Sequence, residues 1–347
     1  MSFNCEKAYQ LLQPHFANRV RCQEPLAEHC AFAVGGPADL WVSLETSEEL
    51  MKLVHLCAEQ HWPLLLIGGG RNVLFADRGV RGIVAQIQTS QYTLEAQNDE
   101  TALLTVEAGT HWSDLLKDIS AQGWGGLEFG IGIPGTLGAG IISNAGAHNQ
   151  SLGQLVESID VLDARGCNWA GEGEFSAPIL RQYLHQELDF GYRYSRFRTE
   201  RTPRINTQGQ FVLPTRNLIE PGEIVLRAVL RLHRLSPQLL TSQSAQYLQE
   251  RRRYEPDYLH TGPVFQDAPT QMASELISRA GLQGKQEGQA QIMDRNANYI
   301  ANLGGASASE IGRLIVEAYQ RVYQQSGVPL TLNIDLQGEW NAEHDPA

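Results

Sequence analysis

The architecture of this chain follows from the stretch GLEFGIGIPGTLGAGIISNAGA at residues 126–147 and from a second glycine-rich stretch, LLLIGGGRNVLF, at residues 64–75. In the shorter stretch, an apolar strand runs into three consecutive glycines. Glycine lets backbone N–H groups converge on an anion because no Cβ obstructs them, so this loop suits a pyrophosphate. An ordinary tight turn is the equally weighted alternative. The GxxxxGK[ST] spacing of a P-loop is missing, which disfavours ATP or GTP chemistry.

The longer stretch contains a literal GxGxxG match at Gly130, Gly132 and Gly135. A dinucleotide-binding fingerprint follows a hydrophobic strand and opens a helix. Here the segment WGGLEFG precedes the match and Pro134 interrupts it, so we reject a nicotinamide-binding Rossmann domain. Two separate glycine loops instead indicate an extended ligand whose pyrophosphate and ring system contact the backbone at several places.

Strand-like and helix-like segments alternate on either side of these loops. Strand-like runs lie at residues 40–44, 63–68, 82–87, 102–108, 156–164, 211–219 and 223–235, and helical patterns at residues 47–62, 111–123, 239–255, 273–282 and 308–327. The first segments predict a β-α-β arrangement whose helix has one apolar face, formed by Leu50, Leu53, Val54 and Cys57. The region from Gly123 to Gly153 is too glycine-rich for a helix interior, so we expect a structured loop there.

The length, net charge and cysteine content of the chain limit the classes of function that it can have. The 347 residues exceed the usual size of one hydrophobic core, and we expect a domain boundary near Pro237. The formal net charge of -12 repels phosphodiester backbones and anionic lipid, although an arginine cluster could still attract an anionic small substrate inside one cleft. Five cysteines without a CxxC pair indicate a reducing compartment. The N-terminus does not read as a signal peptide, and no apolar run is long enough for a transmembrane helix.

Five segments resemble, in order, the FAD-binding segments of the UDP-N-acetylenolpyruvoylglucosamine reductase (MurB) family: FAVGGPADLW (32–41), PLLLIGGGRNVLF (63–75), VEAGTHWSDLL (106–116), GLEFGIGIPGTLGAGIISNAGA (126–147) and LDFGYRYSRF (188–197). Residues 262–304 resemble the family's substrate-domain signature. Residues 330–340 occupy the place of its C-terminal strand. The resemblance covers most of the chain, and together these motifs are far more specific than either glycine loop alone.

The resemblance implies an α+β fold. It comprises a two-subdomain FAD-binding region, of the kind found in vanillyl-alcohol-oxidase-like flavoproteins, and a smaller α/β substrate-binding domain. We expect the FAD-binding region at residues 1–236, with subdomains near 25–105 and 106–236. The substrate-binding domain is expected at residues 237–328, followed by a returning C-terminal strand and tail at residues 329–347.

The resemblance also implies a reaction. NADPH reduces the flavin, and the flavin then delivers hydride to the enolpyruvyl double bond of the UDP-sugar substrate, which gives UDP-N-acetylmuramate for peptidoglycan synthesis. The cofactor carries this chemistry while the protein orients and polarises the substrate. We expect a cytoplasmic monomer that binds neither nucleic acid nor membranes and has no metal site.

Family roles can be carried over to individual residues. Arg193 in GYRYS matches the arginine that neutralises the substrate carboxylate and the developing enolate, and Tyr192 matches a substrate contact. Lys285 and Asn298 lie in the substrate-domain signature and are expected to line the cleft. The expected cofactor contacts are Gly68, Gly69, Gly70, Arg71, Asn72, Gly109, Ile133, Pro134, Gly135, Thr136, Gly138, Asn144, Ala145 and Gly146.

Three positions depart from the family pattern. Arg71 stands where serine or threonine is usual. The motif G-S/C-x-F, whose hydroxyl or thiol donates a proton, reads Gly-Pro-Val-Phe here, and Pro263 has no proton to donate. Asn333 stands where an acidic partner belongs. An amide is no acid near neutral pH but can form hydrogen bonds, so Asn333 is expected to contact the substrate. Asp335, on the same strand face, and Asp267 are the candidate replacements, with bound water as a further alternative.

Three functions therefore remain open. The leading one is the enolpyruvyl reductase. The others are a flavin-dependent relative with a changed substrate and a flavin-binding protein without catalytic activity. The scattered histidines lack metal-ligand spacing. The run Arg251-Arg252-Arg253 reads as a cation set at a helix end, with contact to a substrate diphosphate as the less favoured alternative.

Overall fold

The computed structural model describes residues 3–168, 177–198, 202–206 and 208–340. The helices are α1 (Cys5–Phe16), α2 (Ser47–Gln60), α3 (Trp112–Ala121), α4 (Leu137–Ile142), α5 (Pro237–Tyr254), α6 (Ala273–Arg279) and α7 (Ala308–Ser326). The strands are β1 (Val20–Pro25), β2 (Pro37–Leu44), β3 (Leu64–Ile67), β4 (Val73–Phe75), β5 (Val80–Ile87), β6 (Tyr92–Ala96), β7 (Thr101–Glu107), β8 (Trp124–Gly125), β9 (Gly146–Ala147), β10 (Gln150–Ser151), β11 (Val156–Asp163), β12 (Ile179–Leu184), β13 (Arg204–Ile205), β14 (Phe211–Val212), β15 (Ile219–Glu220), β16 (Glu223–Arg234), β17 (Phe265–Gln266), β18 (Gln286–Glu287), β19 (Ala290–Ile292), β20 (Ile300–Asn302), β21 (Thr331–Leu332) and β22 (Asp335–Gln337).

The first sheet has the strand order β1-β2-β5-β3-β15 and is parallel except for β1. Helix α2 connects β2 to β3, so the predicted β-α-β arrangement is confirmed. The apolar face predicted for this helix is buried against the sheet, with Leu53 fully enclosed. The hydroxyl of Thr46 caps the helix by accepting the N–H of Glu49 at 3.2 Å, so the helix begins one residue after its cap.

The second sheet is antiparallel and has the order β12-β11-β16-β7-β6, with β8 paired to the end of β16. Helix α3 packs its apolar face, including Trp112 and Leu116, onto this sheet. The alternation of residues along β7 buries Leu104 and Val106 on the same side. The glycine-rich region packs onto this second sheet, because Phe129, Leu137 and Ile141 belong to the same apolar cluster.

The expectation that the region from Gly123 to Gly153 forms only loop is wrong, because helix α4 lies inside it. The helix contains two glycines, and packing explains them. A Cβ on Gly138 would lie 2.7 Å from the Cβ of Ala108, and one on Gly140 would lie 2.9 Å from a methyl group of Leu152. The contact with Ala108 leaves no room for a side chain on Gly138, and one on Gly140 would force Leu152 to move, so glycine allows the helix to approach its neighbours.

The single strand predicted at residues 211–219 is also wrong. The segment contributes two separate short strands: β14 pairs with β13, and β15 pairs in parallel with β3. Pro214 lies between them and has no N–H for a strand ladder. The chain therefore leaves one pairing before it enters the next.

The C-terminal part has its own apolar core, formed by α6, α7 and the sheet β18-β19-β20. Helix α7 begins with a reciprocal capping box between Ser307 and Glu310. Phe32 and Leu74 from the N-terminal region enter the same core. Strand β22 then pairs in parallel with β4, which returns the end of the chain to the glycine loop that precedes β4. Residues 341–347 of the expected tail lie outside the described residues.

Candidate functional site

A cleft of about 620 Å³ lies between the two glycine loops and the C-terminal part of the chain. Its volume falls within the usual range for small-molecule sites. The loops contribute Gly68, Gly69, Gly70, Arg71, Asn72, Gly132, Ile133, Pro134, Gly135 and Thr136. The other walls include Ala145, Gly146, Arg193, Arg198, Arg251, Tyr299, Pro263, Asn333 and Asp335. An equally large cavity beside Ser47 and Arg181 touches neither glycine loop, so it is the weaker candidate.

The two glycine loops face each other across this cleft. A Cβ on Gly68 would lie 2.5 Å from the hydroxyl of Thr136, and one on Gly69 would lie 3.2 Å from the Cα of Gly135. No hydrogen bond among the described residues uses the backbone N–H of Gly69, Gly70 or Arg71. Such free N–H groups, without side chains in front of them, suit the pyrophosphate of an extended cofactor.

Arginine side chains dominate the charge inside the cleft. Arg71, Arg193, Arg198 and Arg251 all contribute to its walls, against the carboxylates of Glu255 and Asp335. Arg251 forms an ion pair with Glu255. The interior of the cleft can therefore attract an anion although the whole chain is acidic, because local charge sets the field at short range.

The aliphatic part of Arg71 lies against the facing glycine loop. A Cβ on Gly135 would lie 3.6 Å from the Cβ and Cγ atoms of Arg71. The arginine that replaces the usual serine or threonine is therefore accommodated by packing along the opposite loop. Arg71 is itself one of the residues that line the cleft.

Arg193 lies in a tight turn at the edge of the cleft. Gly191 and Tyr194 bracket the turn and exchange two backbone hydrogen bonds of 3.0 and 3.2 Å. Arg193 has a φ of 53°, in the left-handed region that favours glycine. Tyr192, the other central residue, is 62% exposed and lines a neighbouring cavity rather than the cleft. Strain at a residue facing a cleft is typical of functional positions.

The two replaced positions, Pro263 and Asn333, contact each other. Nδ2 of Asn333 donates to the carbonyl oxygen of Pro263 at 3.0 Å, and the Asn333 N–H donates to the carbonyl of Val264 at 2.8 Å. The Asn333 carbonyl accepts from Asn72 at 2.9 Å and from the buried Arg198 at 2.6 Å. Asn333 thus joins the glycine loop, the Pro263 segment and Arg198 at one point of the cleft wall.

The two candidate acids have different surroundings. Asp335 opens β22 and lines the cleft, and its backbone N–H donates to the carbonyl of Asn72 at 2.9 Å. Asp267 is not part of the cleft wall. Its carboxylate accepts the N–H of Ala273 at 2.8 Å, the first residue of α6. Asp267 therefore acts as a helix cap in this structure.

Besides Tyr192, two further predicted substrate contacts, Lys285 and Asn298, lie outside the cleft wall. Lys285 is 3.5 Å from the carboxylate of Glu317 on α7. Asn298 is buried and forms two hydrogen bonds of 2.9 Å with the backbone of Phe265. The Phe265 N–H donates to Oδ1 of Asn298, and Nδ2 of Asn298 donates to the Phe265 carbonyl oxygen. Asn298 thus fixes the strand that follows Pro263.

Three predicted cofactor contacts also lie outside the cleft wall. A Cβ on Gly109 would lie 2.5 Å from the carbonyl oxygen of Thr89, so this glycine permits a close backbone approach. Gly138 has the same role against Ala108, as described above. Asn144 is buried, and its side chain bonds to the backbone of other loops rather than facing the cleft.

Several residues of the cleft wall were missed from the sequence, among them Tyr299 and His260. Burial, and next the carboxylate of Glu255, raise the pKa of Tyr299 to about 12, so its phenol stays neutral. Burial lowers the pKa of His260, whose Nδ1 accepts the N–H of Gly262 at 2.9 Å. This bond places the proton of the neutral ring on Nε2. No spacing or periodicity in these loops could have shown that the two rings meet edge to face.

Within the described ranges, no three or more His, Cys, Asp or Glu side chains are grouped so that they could hold a metal ion. No helix in the described part of the chain is long and apolar enough to cross a membrane.

Comparisons with known proteins agree with this arrangement. Residues 38–168 match the FAD binding domain family, and residues 255–337 match the C-terminal domain family of UDP-N-acetylenolpyruvoylglucosamine reductase. The chain is 32% identical over 321 residues to UDP-N-acetylenolpyruvoylglucosamine reductase 2 of Symbiobacterium thermophilum, which covers 92% of each chain. It is 32% identical over 315 residues to the Chloroflexus aggregans reductase, which covers 91% of this chain and 96% of the relative.

A solved structure supports the same relationship. The crystal structure of UDP-N-acetylenolpyruvylglucosamine reductase (MurB) from Thermus caldophilus superposes with a TM-score of 0.69 at 28% identity, covering 92% of this chain and 98% of that one. The expected α+β FAD-binding fold is therefore confirmed. The identity to curated relatives, which extends over more than nine-tenths of the chain, shows that it belongs to the UDP-N-acetylenolpyruvoylglucosamine reductase family.

Proposed function

We propose that this chain uses FAD and NADPH to reduce the enolpyruvyl group of UDP-N-acetylenolpyruvoylglucosamine to UDP-N-acetylmuramate, in the synthesis of peptidoglycan precursors. One observation carries the proposal. A single cleft brings both glycine loops of the FAD-binding region together with Arg193 and with residues of the C-terminal domain. Cofactor loops and substrate-domain residues thus face the same space, as hydride transfer between a cofactor and a substrate requires.

The residues present fit FAD. The free N–H groups of Gly69, Gly70 and Arg71 would hold the pyrophosphate, and the facing loop at residues 133–136 would cover the other side of the cofactor. When bound, FAD supplies the hydride chemistry between NADPH and the enolpyruvyl double bond. The protein contributes the shape and the charge of the cleft.

Arg193 binds and polarises the substrate carboxylate in this proposal. Its guanidinium group is always charged and can form two parallel hydrogen bonds with a carboxylate. Negative charge grows on that carboxylate as hydride reaches the double bond, so a fixed cation beside it stabilises the transition state more than the ground state.

Asp335 is the proposed proton donor for the adjacent carbon, with bound water as the alternative. Asp335 is the candidate acid that lines the cleft, whereas the carboxylate of Asp267 is bonded to the start of α6. Asn333 would shape this wall rather than donate a proton, because its amide N–H group is bonded to Pro263. Burial keeps Tyr299 neutral with a pKa of about 12, so it can donate a hydrogen bond to the same region.

We further propose a cytoplasmic monomer with an FAD-binding region at residues 1–236, a substrate-binding domain at residues 237–328 and a returning segment from residue 329. The composition supports a location in a reducing compartment. Size-exclusion chromatography with light scattering would test the monomer. Limited proteolysis near Pro237 would test the domain boundary, since exposed connections between domains are cut first.

Product analysis tests the function. The FAD-loaded protein is incubated with NADPH and UDP-N-acetylenolpyruvoylglucosamine, and the nucleotide fraction is analysed by mass spectrometry. The proposal expects a product heavier than the substrate by two hydrogen atoms. Oxidation of NADPH without this product would favour a changed substrate, and a flavin that NADPH cannot reduce would favour a non-catalytic role.

A further inference from the structure

The turn that carries Arg193 is tied on both sides to the end of helix α4. Before the turn, Nδ2 of Asn144 donates to the carbonyl oxygen of Gly191 at 2.7 Å. After it, the hydroxyl of Ser195 donates to the carbonyl oxygen of Ile142 at 2.6 Å. Both side chains are shielded from water, with 7% of Asn144 and none of Ser195 exposed. The two bonds thus fix the turn through its flanking residues.

Asn144 is itself fixed. Its Oδ1 accepts the N–H of Gly153 at 2.9 Å, so donor and acceptor of the amide are both occupied. Its backbone has a φ of 43°, in the left-handed region, where asparagine is better tolerated than most residues. The amide orientation follows from these two partners, because a flipped side chain would place its donor against an N–H and its acceptor against a carbonyl.

Helix α4 links this turn to the cofactor loop. It begins at Leu137, directly after Thr136 of the second glycine loop, and ends at Ile142, which accepts the bond from Ser195. Gly138 and Gly140 hold the helix tightly against Ala108 and Leu152. A rigid helix of 6 residues therefore separates the loop that faces the cofactor from the residues that hold Arg193.

We propose that Asn144 and Ser195 are positioning residues that set the guanidinium group of Arg193 relative to the cofactor loop. This inference rests on the proposed function, in which Arg193 meets the substrate carboxylate. The inference goes beyond that function, because it assigns Asn144 a role in positioning a charged group rather than in contacting the cofactor. Small displacements of a group that stabilises the transition state are costly, since that stabilisation depends on geometry.

A double-mutant cycle tests the proposal. Asn144→Gly removes both side-chain bonds without straining the left-handed backbone. The FAD-loaded protein is reduced with NADPH, and the rate of flavin reoxidation by UDP-N-acetylenolpyruvoylglucosamine is followed without oxygen. We expect the variant to slow this reoxidation about 10- to 100-fold and to keep the FAD affinity of the wild type. In an Arg193→Ala background, Asn144→Gly should lower the rate of reoxidation by less than about 3-fold, because the guanidinium group that Asn144 positions is absent.

Controls separate positioning from folding. Asn149→Gly removes another asparagine with positive φ, on the neighbouring β9-β10 hairpin, and should leave the rate unchanged. Ser195→Ala provides a second variant that should show the same coupling to Arg193. If Asn144→Gly and Ser195→Ala each lower the rate equally in the wild-type and Arg193→Ala backgrounds, the proposal is overturned.

A measurement on the turn itself does not depend on turnover. Amide hydrogen exchange of the segment from Phe190 to Tyr194 should become faster in Asn144→Gly than in wild type or in Asn149→Gly. Unchanged exchange would overturn the inference whatever the activity of the protein. Failure of the wild type to reoxidise with substrate would instead count against the proposed function, which keeps the two failures distinct.

Discussion

Asn333 donates a hydrogen bond across 3.0 Å to the carbonyl oxygen of Pro263, and this bond joins the two positions at which the expected proton-transfer groups are missing. The two departures therefore form one structural unit. The acceptor is a backbone carbonyl, which any residue at position 263 would present, whereas a carboxylate at position 333 would place two acceptors opposite each other. The bond therefore explains why an amide suits position 333, and it does not itself require the proline.

Removal of the Asn333 side chain should weaken the fold. Asn333→Ala leaves the carbonyl of the half-buried Pro263 without its partner, which costs about 1–3 kcal/mol of the free energy of unfolding if no water takes its place. Urea unfolding of the FAD-free protein measures this loss. A loss under about 0.5 kcal/mol would show that water replaces the amide.

Asp335→Asn should lower the rate of substrate reduction about 10²- to 10⁴-fold if Asp335 donates the proton. Asp267→Ala provides the control, because we expect it to lower stability by about 0.5–2 kcal/mol through the lost cap of α6 and to leave the rate nearly unchanged. Steady-state kinetics and urea unfolding of both variants separate the roles. A larger rate loss in the Asp267 variant would reverse the assignment.

Pro263→Ser should partly rescue Asp335→Asn. The substitution keeps the carbonyl that Asn333 bonds and adds a hydroxyl to the cleft wall, at the position where the family pattern has its proton donor. We expect the double variant to be about 10-fold faster than Asp335→Asn alone. The rate of flavin reoxidation by substrate measures the rescue, and no gain would place the serine hydroxyl out of reach of the reacting carbon.

Arg193 shows a trade between stability and function. Arg193→Gly relieves the left-handed backbone at φ 53°, whereas Arg193→Ala keeps the strain and removes the same charge. We expect both variants to lose substrate reduction. The free energy of unfolding of the glycine variant should exceed that of the alanine variant by about 1 kcal/mol. Thermal and urea unfolding measure the difference. Equal stability of the two would show that the strain is absorbed elsewhere.

The contribution of the Asp163 carboxylate to the free energy of unfolding should depend on pH. A hydrogen bond from Arg165, assisted by Arg181, lowers the pKa of Asp163 to about 2. Because the folded pKa lies below the unfolded value near 4, this carboxylate stabilises the fold above about pH 4 and loses that effect as the pH falls toward 2. Asp163→Asn should therefore be destabilised at pH 7, and its difference from wild type should shrink between about pH 4 and 2. The exposed Asp99→Asn variant provides a control for the removal of one surface carboxylate.

Periodic and glycine-rich patterns predicted much of the fold and of the cofactor side of the cleft. The helix with Leu53 and the loop at Gly69 both depend on local composition, which a single sequence displays. Helix α4 was missed because Gly138 packs against Ala108 and Gly140 against Leu152, contacts that the local sequence of the helix does not show. Lys285 and Asn298 lie in a matching motif, yet motif membership does not say which side chains face the cleft. Their partners, Glu317 and Phe265, are visible only in three dimensions.

The most direct test is an anaerobic half-reaction. The FAD-loaded protein is reduced with one equivalent of NADPH, and UDP-N-acetylenolpyruvoylglucosamine is added while the flavin absorbance is recorded. We predict full return of the oxidised flavin spectrum, at a rate that Arg193→Ala lowers much more than it lowers FAD affinity. A reduced flavin that stays reduced after substrate is added would contradict the proposed function.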